Sequence, residues 1–468
     1  MTVTSFLLLF VTIYSVFVLF YFAFINSGYF ILINLALKEM MEYLKLPKFD
    51  ICEGKACGLL PSITILVPSY NEEKTIVNSV EALLNLNYPN LEVIVINDGS
   101  TDNTLTNLKD HFKLISSKRS VEEKIQTEEV KNVFRSITER DLLVIDKENG
   151  GKADSLNAGI NHSRTDLFLA IDADTLIERD SLKKLVKKYM YTDAKVVALG
   201  GIVRVANNCE IRNSEVKEAR LPKKFLPAVQ VMEYIRAFLF GRTGWSRLNC
   251  LPIISGAFGL FDRDAVTDIN GYRTDTVGED IDLVVRLHKY MRDKKKDYDI
   301  SFLPDPVCWT QVPEKRKVLG RQRSRWQRGL TETISFNKDM LFNPRYGKVG
   351  TLALPFFLFF EMFGPIIEIS GYFIFVVSYF MGWIDHKLAL IFLSLAVFYG
   401  VLLSIFSLLL EELTLKRYKD PVDRIKLMGL AFLENFGYRQ FHSWWRLKGL
   451  IQFIRKDTSW GNMEREDF

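Results

Sequence analysis

An α/β fold is predicted for this chain: a mostly parallel sheet in a central soluble region, with membrane helices on either side. Three observations predict it. The chain has 468 residues, 48% of them hydrophobic although a quarter are charged, so the apolar excess is concentrated, and it sits toward the two ends. Between about 60 and 340, short β-branched runs alternate with helical patterns, the order that builds a sheet covered on both faces. Acidic and glycine-bearing clusters fall where those runs end, and open α/β sheets bind ligands at the carboxyl ends of their strands. A chain this long exceeds one ordinary domain. The expected division is a transmembrane helix within 1–40, a soluble domain over 55–340, and interfacial and transmembrane helices over 345–468.

Charge and cysteine content narrow the function. The 61 basic and 56 acidic residues leave a net charge of +5 without a long basic run, so nucleic acid is not an expected partner. Cys52 and Cys57 form the one close cysteine pair, with no second pair or histidine cluster to complete a zinc site. They are expected as reduced cytosolic thiols.

Residues 5–25 carry no charge, and a bilayer core of about 30 Å needs roughly 20 such residues as a helix. No basic segment precedes them and no small-residue cleavage site follows, so a membrane helix is expected rather than a signal peptide. Lys38, Lys45 and Lys48 come directly after, which places the N-terminus outside and the next domain in the cytoplasm. At the other end, 366–384 and 388–411 are expected to form a helical hairpin, answered by the basic loop of Lys416, Arg417, Lys419, Arg424 and Lys426. Residues 351–364, interrupted by Pro355 and Glu361, are expected to lie in the membrane interface. Over 427–454 the pattern is ambiguous, because Glu434, Arg439 and His442 interrupt it.

In the soluble region, 63–67, 92–96, 142–145 and 167–171 are predicted strands, and Ile76, Val80, Leu83 and Leu84 mark one face of a helix between the first two. Residues 113–140 are expected to be a solvated surface insertion. Asp172 and Asp174 follow the fourth run, two carboxylates on a turn beyond a buried strand. Such a pair suits a hard divalent cation, magnesium or manganese; a turn or capping acid is the structural alternative. Ser69, Tyr70 and Glu72 follow the first run and Asp98 the second, offering an aromatic face and acceptors to a nucleoside. The alternative is a helix cap, for which Ser69 and Glu72 have capping-box spacing. In Asn149-Gly150-Gly151-Lys152, glycines permit close backbone approach and Lys152 offers a point charge to a phosphate. Gln322-Arg323-Ser324-Arg325-Trp326 places cations beside an indole, which suits a diphosphate and a stacked sugar ring; here the alternative is a basic helix whose arginines snorkel beside a membrane.

Taken in order, Asp98-Gly99-Ser100, Asp172-Ala173-Asp174, Glu279-Asp280 and the Gln322 to Trp326 motif resemble the catalytic signature of membrane-bound family-two glycosyltransferases. That group contains cellulose, chitin, hyaluronan and poly-N-acetylglucosamine synthases. The resemblance covers roughly 60–335, and its terminal helices match in layout only. It implies a GT-A-like domain, binding of a nucleotide sugar by Ser69, Tyr70, Glu72, Asp98, Lys152 and Asp172, and a metal at Asp172 and Asp174. It also implies an acidic pair, Glu279 and Asp280, with Asp280 as general base. The family's Thr-Glu-Asp triplet reads Gly278-Glu279-Asp280 here, so the first position departs. Ser255 and Gly256 lie where the family places an acceptor-contacting loop, and Gln322, Arg325 and Trp326 match its diphosphate and acceptor motif. The stretch from Asn149 to Ile160 is most similar to poly-N-acetylglucosamine and hyaluronan synthases.

The expected function is an inverting, metal-dependent and processive transfer of sugar, from a UDP-sugar such as UDP-GlcNAc, into an extracellular polysaccharide. Expected partners are that donor, a growing glycan or glycolipid acceptor, membrane lipids and an accessory membrane subunit. The expected location is the cell membrane, multi-pass, with the catalytic domain cytoplasmic. Two other functions fit the residues: addition of a single sugar to a membrane lipid, and a catalytically silent nucleotide-binding subunit of a transport or sensing system.

Overall fold

The structure, a computed structural model, describes residues 3–45, 60–212 and 215–457. Cys52 and Cys57 lie outside the described residues. Ten strands form one mixed sheet: β1 (Ile63–Ser69), β2 (Leu91–Asp98), β3 (Leu114–Ser116), β4 (Val130–Ser136), β5 (Leu142–Lys147), β6 (Leu167–Ala170), β7 (Leu176–Ile177), β8 (Lys195–Val205), β9 (Gly259–Asp262) and β10 (Tyr298–Thr310). Their spatial order is β3-β4-β5-β2-β1-β6-β9-β8-β10-β7. The four predicted runs are the adjacent parallel strands β5-β2-β1-β6. Their near-continuous Val, Ile and Leu content fits burial on both faces. Being parallel, these four strands deliver their following loops to a single edge, and every motif of the first half of the domain lies there.

The structure corrects the expectation for 113–140. That segment is no mere surface insertion, because β4 extends the main sheet antiparallel to β5 and β3 adds to it antiparallel to β4. They escaped the sequence reading because β3 is a three-residue edge strand and β4, beside it, carries the exposed charges Lys131 and Arg135. The capping-box alternative for Ser69 and Glu72 also fails. The helix after β1 runs Ile76–Leu84 with Thr75 before it, several residues beyond Ser69.

Helices that matter for the site are α1 (Val3–Lys45), α2 (Lys152–His162), α3 (Phe225–Tyr234, continuing in wide turns over Ile235–Arg242 and as ordinary helix over Thr243–Arg247), α4 (Glu279–Asp293) and α5 (Arg316–Phe336). The C-terminal part consists of α6 (Val349–Phe380), α7 (386–414), α8 (Pro421–Leu433) and α9 (Tyr438–Ile454). Ser5–Lys45 and Val349–Phe380 are long and apolar enough to cross a membrane. Along α1, Phe6, Phe10, Ile13, Phe17, Phe20 and Phe24 are exposed, a surface suited to lipid rather than water. The expected interfacial segment at 351–364 is helical and forms the first part of α6, running on into the stretch from Gly364 to Phe380. It turns back at 381–385 into α7, as the expected hairpin does.

The polar interruptions of the C-terminal part face protein. Glu434 pairs with Arg236, His442 stands 3.6 Å from Glu233, and Arg446 contacts Glu361 at 2.8 Å. Gly437, at φ +84°, makes the break between α8 and α9 that resolves the ambiguous stretch into two helices.

Candidate active site

The loops after β1 and β2 are stitched into one unit. Asn71 adopts a left-handed φ of 56°, its amide donates to Ser100 Oγ (3.0 Å), and its Oδ1 accepts from the Thr101 amide (2.8 Å). The Glu72 amide donates to Thr104 Oγ1 (2.8 Å) and the Glu73 amide to Asp102 Oδ2 (3.1 Å). Above this base Tyr70 is 49% exposed, while the Ser69 hydroxyl is buried with no partner. The Glu72 carboxylate accepts from Thr75 Oγ1 (3.0 Å). Asp98 points inward: its carboxylate accepts from Lys147 Nζ (2.8 Å) and from the Gly150 (3.0 Å) and Gly151 (2.8 Å) amides. Asp98 thereby ties the nucleotide-side loops to the glycine-lysine loop. Gly151 is required there, since its φ of +87° is one that side chains rarely adopt.

Lys152 opens α2 and is the hub of the cleft. Its Nζ pairs with Asp172, lies 3.8 Å from Glu279, and donates to the Gly256 carbonyl at 3.4 Å. Burial disfavours its charge, but Asp172 and Glu279 outweigh burial and hold the ammonium well above its usual range. A positive group therefore stays fixed beside the aspartate pair at any physiological pH. Burial, with Asp172 alongside, pushes the Asp174 carboxyl up to about 6. Burial likewise raises Glu279, against the pull of Lys152.

Two close carboxylates that disfavour joint ionisation are relieved by a cation. Among the described residues no group of three or more His, Cys, Asp or Glu side chains forms a complete metal cage. One or two carboxylates with substrate phosphates are the usual set for magnesium, and Asp172 and Asp174 fit that requirement.

Asp280, in the first turn of α4, faces Lys152 across the Ser255-Gly256 loop. Its Oδ2 accepts from the Gly256 amide at 3.3 Å, while the Gly256 carbonyl faces Lys152. A side chain at Gly256 would meet Lys152 Nζ at 2.9 Å, so glycine is what lets the two charged groups flank this loop. Ser255 supports the turn by accepting the Phe258 amide at its carbonyl (3.0 Å). The segment before Asp280 rests on α5. Thr276 Oγ1 (2.7 Å) and the Val277 amide (3.0 Å) donate to Glu332, and Gly278 crosses Gly329 backbone to backbone. The departure from the family triplet thus has a steric cause: a Cβ at 278 would stand 2.7 Å from Gly329 Cα.

On α5, Trp326 is 44% exposed and Arg325 lies near enough to Glu279 to lower its carboxyl electrostatically. Gln322 Oε1 accepts from Arg323 at 2.9 Å. The snorkelling alternative fails for two of its arginines, because Arg323 and Arg328 are buried. Sequence reasoning missed four supporting residues. Lys147 is wholly buried between Asp98 and Asp154 (2.6 Å). Glu332 holds the Asp280 segment, Glu233 pairs with Arg323 at 2.8 Å, and Arg242 stacks 3.8 Å over Phe238 with its Nη1 unpartnered. For Lys147 a signal existed, a lysine closing an otherwise apolar buried run; the other three carry none.

A mostly parallel sheet whose strand-end loops gather a carboxylate pair, a glycine-lysine loop and a further acidic pair defines the GT-A class of glycosyltransferases. The chain belongs to glycosyltransferase family two: the model described as "Glycosyl transferase family group 2" matches residues 167–409, and "Glycosyl transferase family 2" matches 64–266. The poly-β-1,6-N-acetyl-D-glucosamine synthase of Staphylococcus aureus (strain COL) is 28% identical over 67% of this chain and 63% of its own. The synthase of the same name from Staphylococcus epidermidis is 30% identical over 58% and 55%. The chain therefore spans less than two thirds of the length of the curated relatives it matches. A mannosyltransferase of Pyrobaculum calidifontis, solved with GDP-Man and Mn2+, shares the fold at a TM-score of 0.50 and 17% identity, covering 94% of this chain and 99% of that one.

Proposed function

We propose that the protein is a membrane-embedded inverting glycosyltransferase that polymerises sugar from a UDP-sugar, UDP-N-acetylglucosamine foremost, into a polysaccharide delivered across the membrane. The observation that carries this reading is the bridge built by Lys152, which joins Asp172 on the donor side to Glu279 and the Gly256 carbonyl on the acceptor side. The likeness to the staphylococcal synthases supports the choice of sugar. The two long apolar helices support membrane embedding, with the catalytic domain on the cytoplasmic side.

In this reading the base and ribose lie against Tyr70, Glu72 and the loop anchored by Asp98, and Lys152 meets the diphosphate as a point charge. A magnesium or manganese ion at Asp172 and Asp174 supplies charge neutralisation for the departing diphosphate. Asp280 accepts the proton of the acceptor hydroxyl as that oxygen bonds to the anomeric carbon, and the bond from that carbon to the diphosphate oxygen breaks on the opposite face. Uridine diphosphate leaves, and the configuration inverts. Glu279 orients Lys152, Arg325 assists at the diphosphate, and Ser255, Gly256, Gln322 and Trp326 line the acceptor path, with the indole under the terminal sugar ring.

The test uses purified protein in nanodiscs with magnesium or manganese and a panel of UDP-sugars, reading nucleotide release and product length together. Release with a polymer ladder from one donor is expected. A single small product would replace polymerisation by glycolipid synthesis, and no release from any donor would favour a silent nucleotide-binding subunit.

A further inference from the structure

Arg323 is the second residue of the Gln322 to Trp326 motif and lies one turn before Trp326, so the two share a helix face. It is 1% exposed, and its guanidinium carbon sits 4.1 Å from the centre of the Trp326 ring. Its Nη2 donates to Glu233 at 2.8 Å. Glu233 in turn accepts from Tyr438 Oη at 2.6 Å and faces His442 at 3.6 Å, both on α9. The indole is thus gripped on one face by a cation that is itself fixed by a carboxylate, while the residue remains 44% exposed.

A buried ion pair adds little stability over well-packed apolar residues of the same volume. What a guanidinium adds here is direction: stacked on the ring and pinned at the far end, it restricts the rotamers the indole can take. A platform for a sugar ring needs that restriction, because stacking is sensitive to tilt.

We propose that Glu233 and Arg323 are positioning residues that hold the Trp326 indole as the acceptor platform, and that Tyr438 and His442 link this platform to the helix following the membrane segments. The proposal rests on the reading of Trp326 as the acceptor contact. It assigns the pair no contact with donor or with the reacting atoms. The chemical class recognised through it is a neutral pyranose at the growing end.

The experiment compares wild type with Glu233→Gln, Arg323→Gln, Arg323→Lys, Trp326→Leu and the double variant Glu233→Gln/Trp326→Leu, all in nanodiscs. Donor KM, the ratio of sugar transferred to sugar lost to water, product length and melting temperature are measured. Glu233→Gln and Arg323→Gln are expected to lower the transfer-to-hydrolysis ratio about tenfold and shorten products while donor KM holds. Arg323→Lys should recover part of that loss. In the Trp326→Leu background, Glu233→Gln should change nothing further, since the platform it serves is gone. An equal loss in both backgrounds, or a raised donor KM with an unchanged ratio, would overturn the proposal by showing a general structural or donor-side role. A fluorinated tryptophan placed at 326 reads platform order without turnover: one sharp 19F signal in wild type and a broadened or split one in Glu233→Gln are expected. Identical signals in the two would overturn the brace, whereas a silent or single-addition wild type would overturn the polymerase reading and leave the fluorine result to judge the brace.

Discussion

Replacing Gly329 by alanine tests how tightly the segment carrying Asp280, the proposed general base, is fixed to α5. Helix propensity alone makes this change stabilising by about 1 kcal/mol at a helix interior. The structure reverses the sign. A Cβ on Gly329 would stand 2.6 Å from Gly278 Cα and 2.8 Å from Gly278 N, both backbone atoms that no rotamer change can remove. Reaching ordinary contact at 3.4 Å requires the two segments to separate by about 0.8 Å. Glu332, one turn further along α5, holds Thr276 and Val277 on the same segment, so the displacement passes forward into Asp280. A shift near 1 Å in a reacting group costs on the order of 10²-fold in turnover, and overpacking costs about 1–3 kcal/mol in stability. The donor-side aspartates, Asp172 and Asp174, do not touch this crossing, and Lys152 meets its far side only through Glu279 at 3.8 Å while pairing directly with Asp172. The expected result is therefore a kcat about 10²-fold lower with donor KM nearly unchanged and a reduced melting temperature, measured by nucleotide release across donor concentrations and by thermal unfolding. A Gly329→Ala protein with full kcat, or one that loses donor affinity at unchanged kcat, would refute the reasoning.

Asp280→Asn should abolish sugar transfer while donor binding, followed by calorimetry, persists; residual transfer with lost binding would remove Asp280 from the base role. Asp174→Asn should raise the metal-free melting temperature at pH 8 but not at about pH 4. Burial raises the wild-type carboxyl from the ordinary 3.8 to about 6, so it costs nothing below about pH 4, and the cost builds between those two values, as the unfolded chain ionises first, to about 3 kcal/mol above them; a pH-independent difference would count against this. Lys147→Met should cost about 3–5 kcal/mol, because Asp98 and Asp154 would keep buried charge without their shared cation; chemical denaturation measures it, and a change below about 1 kcal/mol would show those carboxylates to be relieved otherwise. Removing 438–468 should spare donor binding and abolish transfer, because α9 packs along α5; transfer at the wild-type rate would show that α9 is dispensable to the acceptor side.

How much the sequence revealed depends on where each residue finds its partner. The four central strands were legible because burial on both faces demands unbroken β-branched runs, and parallel packing fixed which ends carry function. The rest of the sheet was not. β3 and β7 are too short to show a period, β4 carries exposed charge one strand in from the edge, and β8 carries Gly200 and Gly201. Gly200 is there because a Cβ would meet Phe302 of the neighbouring β10 at 2.9 Å, and no local pattern announces that. At the site, Asp98, Lys152, Asp172, Asp280 and Trp326 stood out through motif spacing. Glu233 and Glu332 did not, since each acts on a partner far along the chain.

The motif helix explains why the Asp280 segment and Trp326 belong to one unit with the C-terminal helices. Along α5, Trp326 is exposed, Gly329 and Glu332 meet the segment before Asp280, and Ser324, Gln327 and Arg328 meet the C-terminal part. Ser324 Oγ donates to the Trp445 carbonyl (2.8 Å), Gln327 Nε2 to the carbonyls of Glu361 and Met362 (3.1 Å each), and Arg328 to that of Asp457 (2.6 Å). Gly449 and Gly320 let α9 approach closely enough for these bonds, since a side chain at either would strike Ser324 or Trp445. A helix fixed on all sides cannot tilt to suit one partner alone. Displacing α6 or α9 must therefore move Trp326 and Asp280 together, which in the proposed reading would keep acceptor platform and base in register as a growing chain advances.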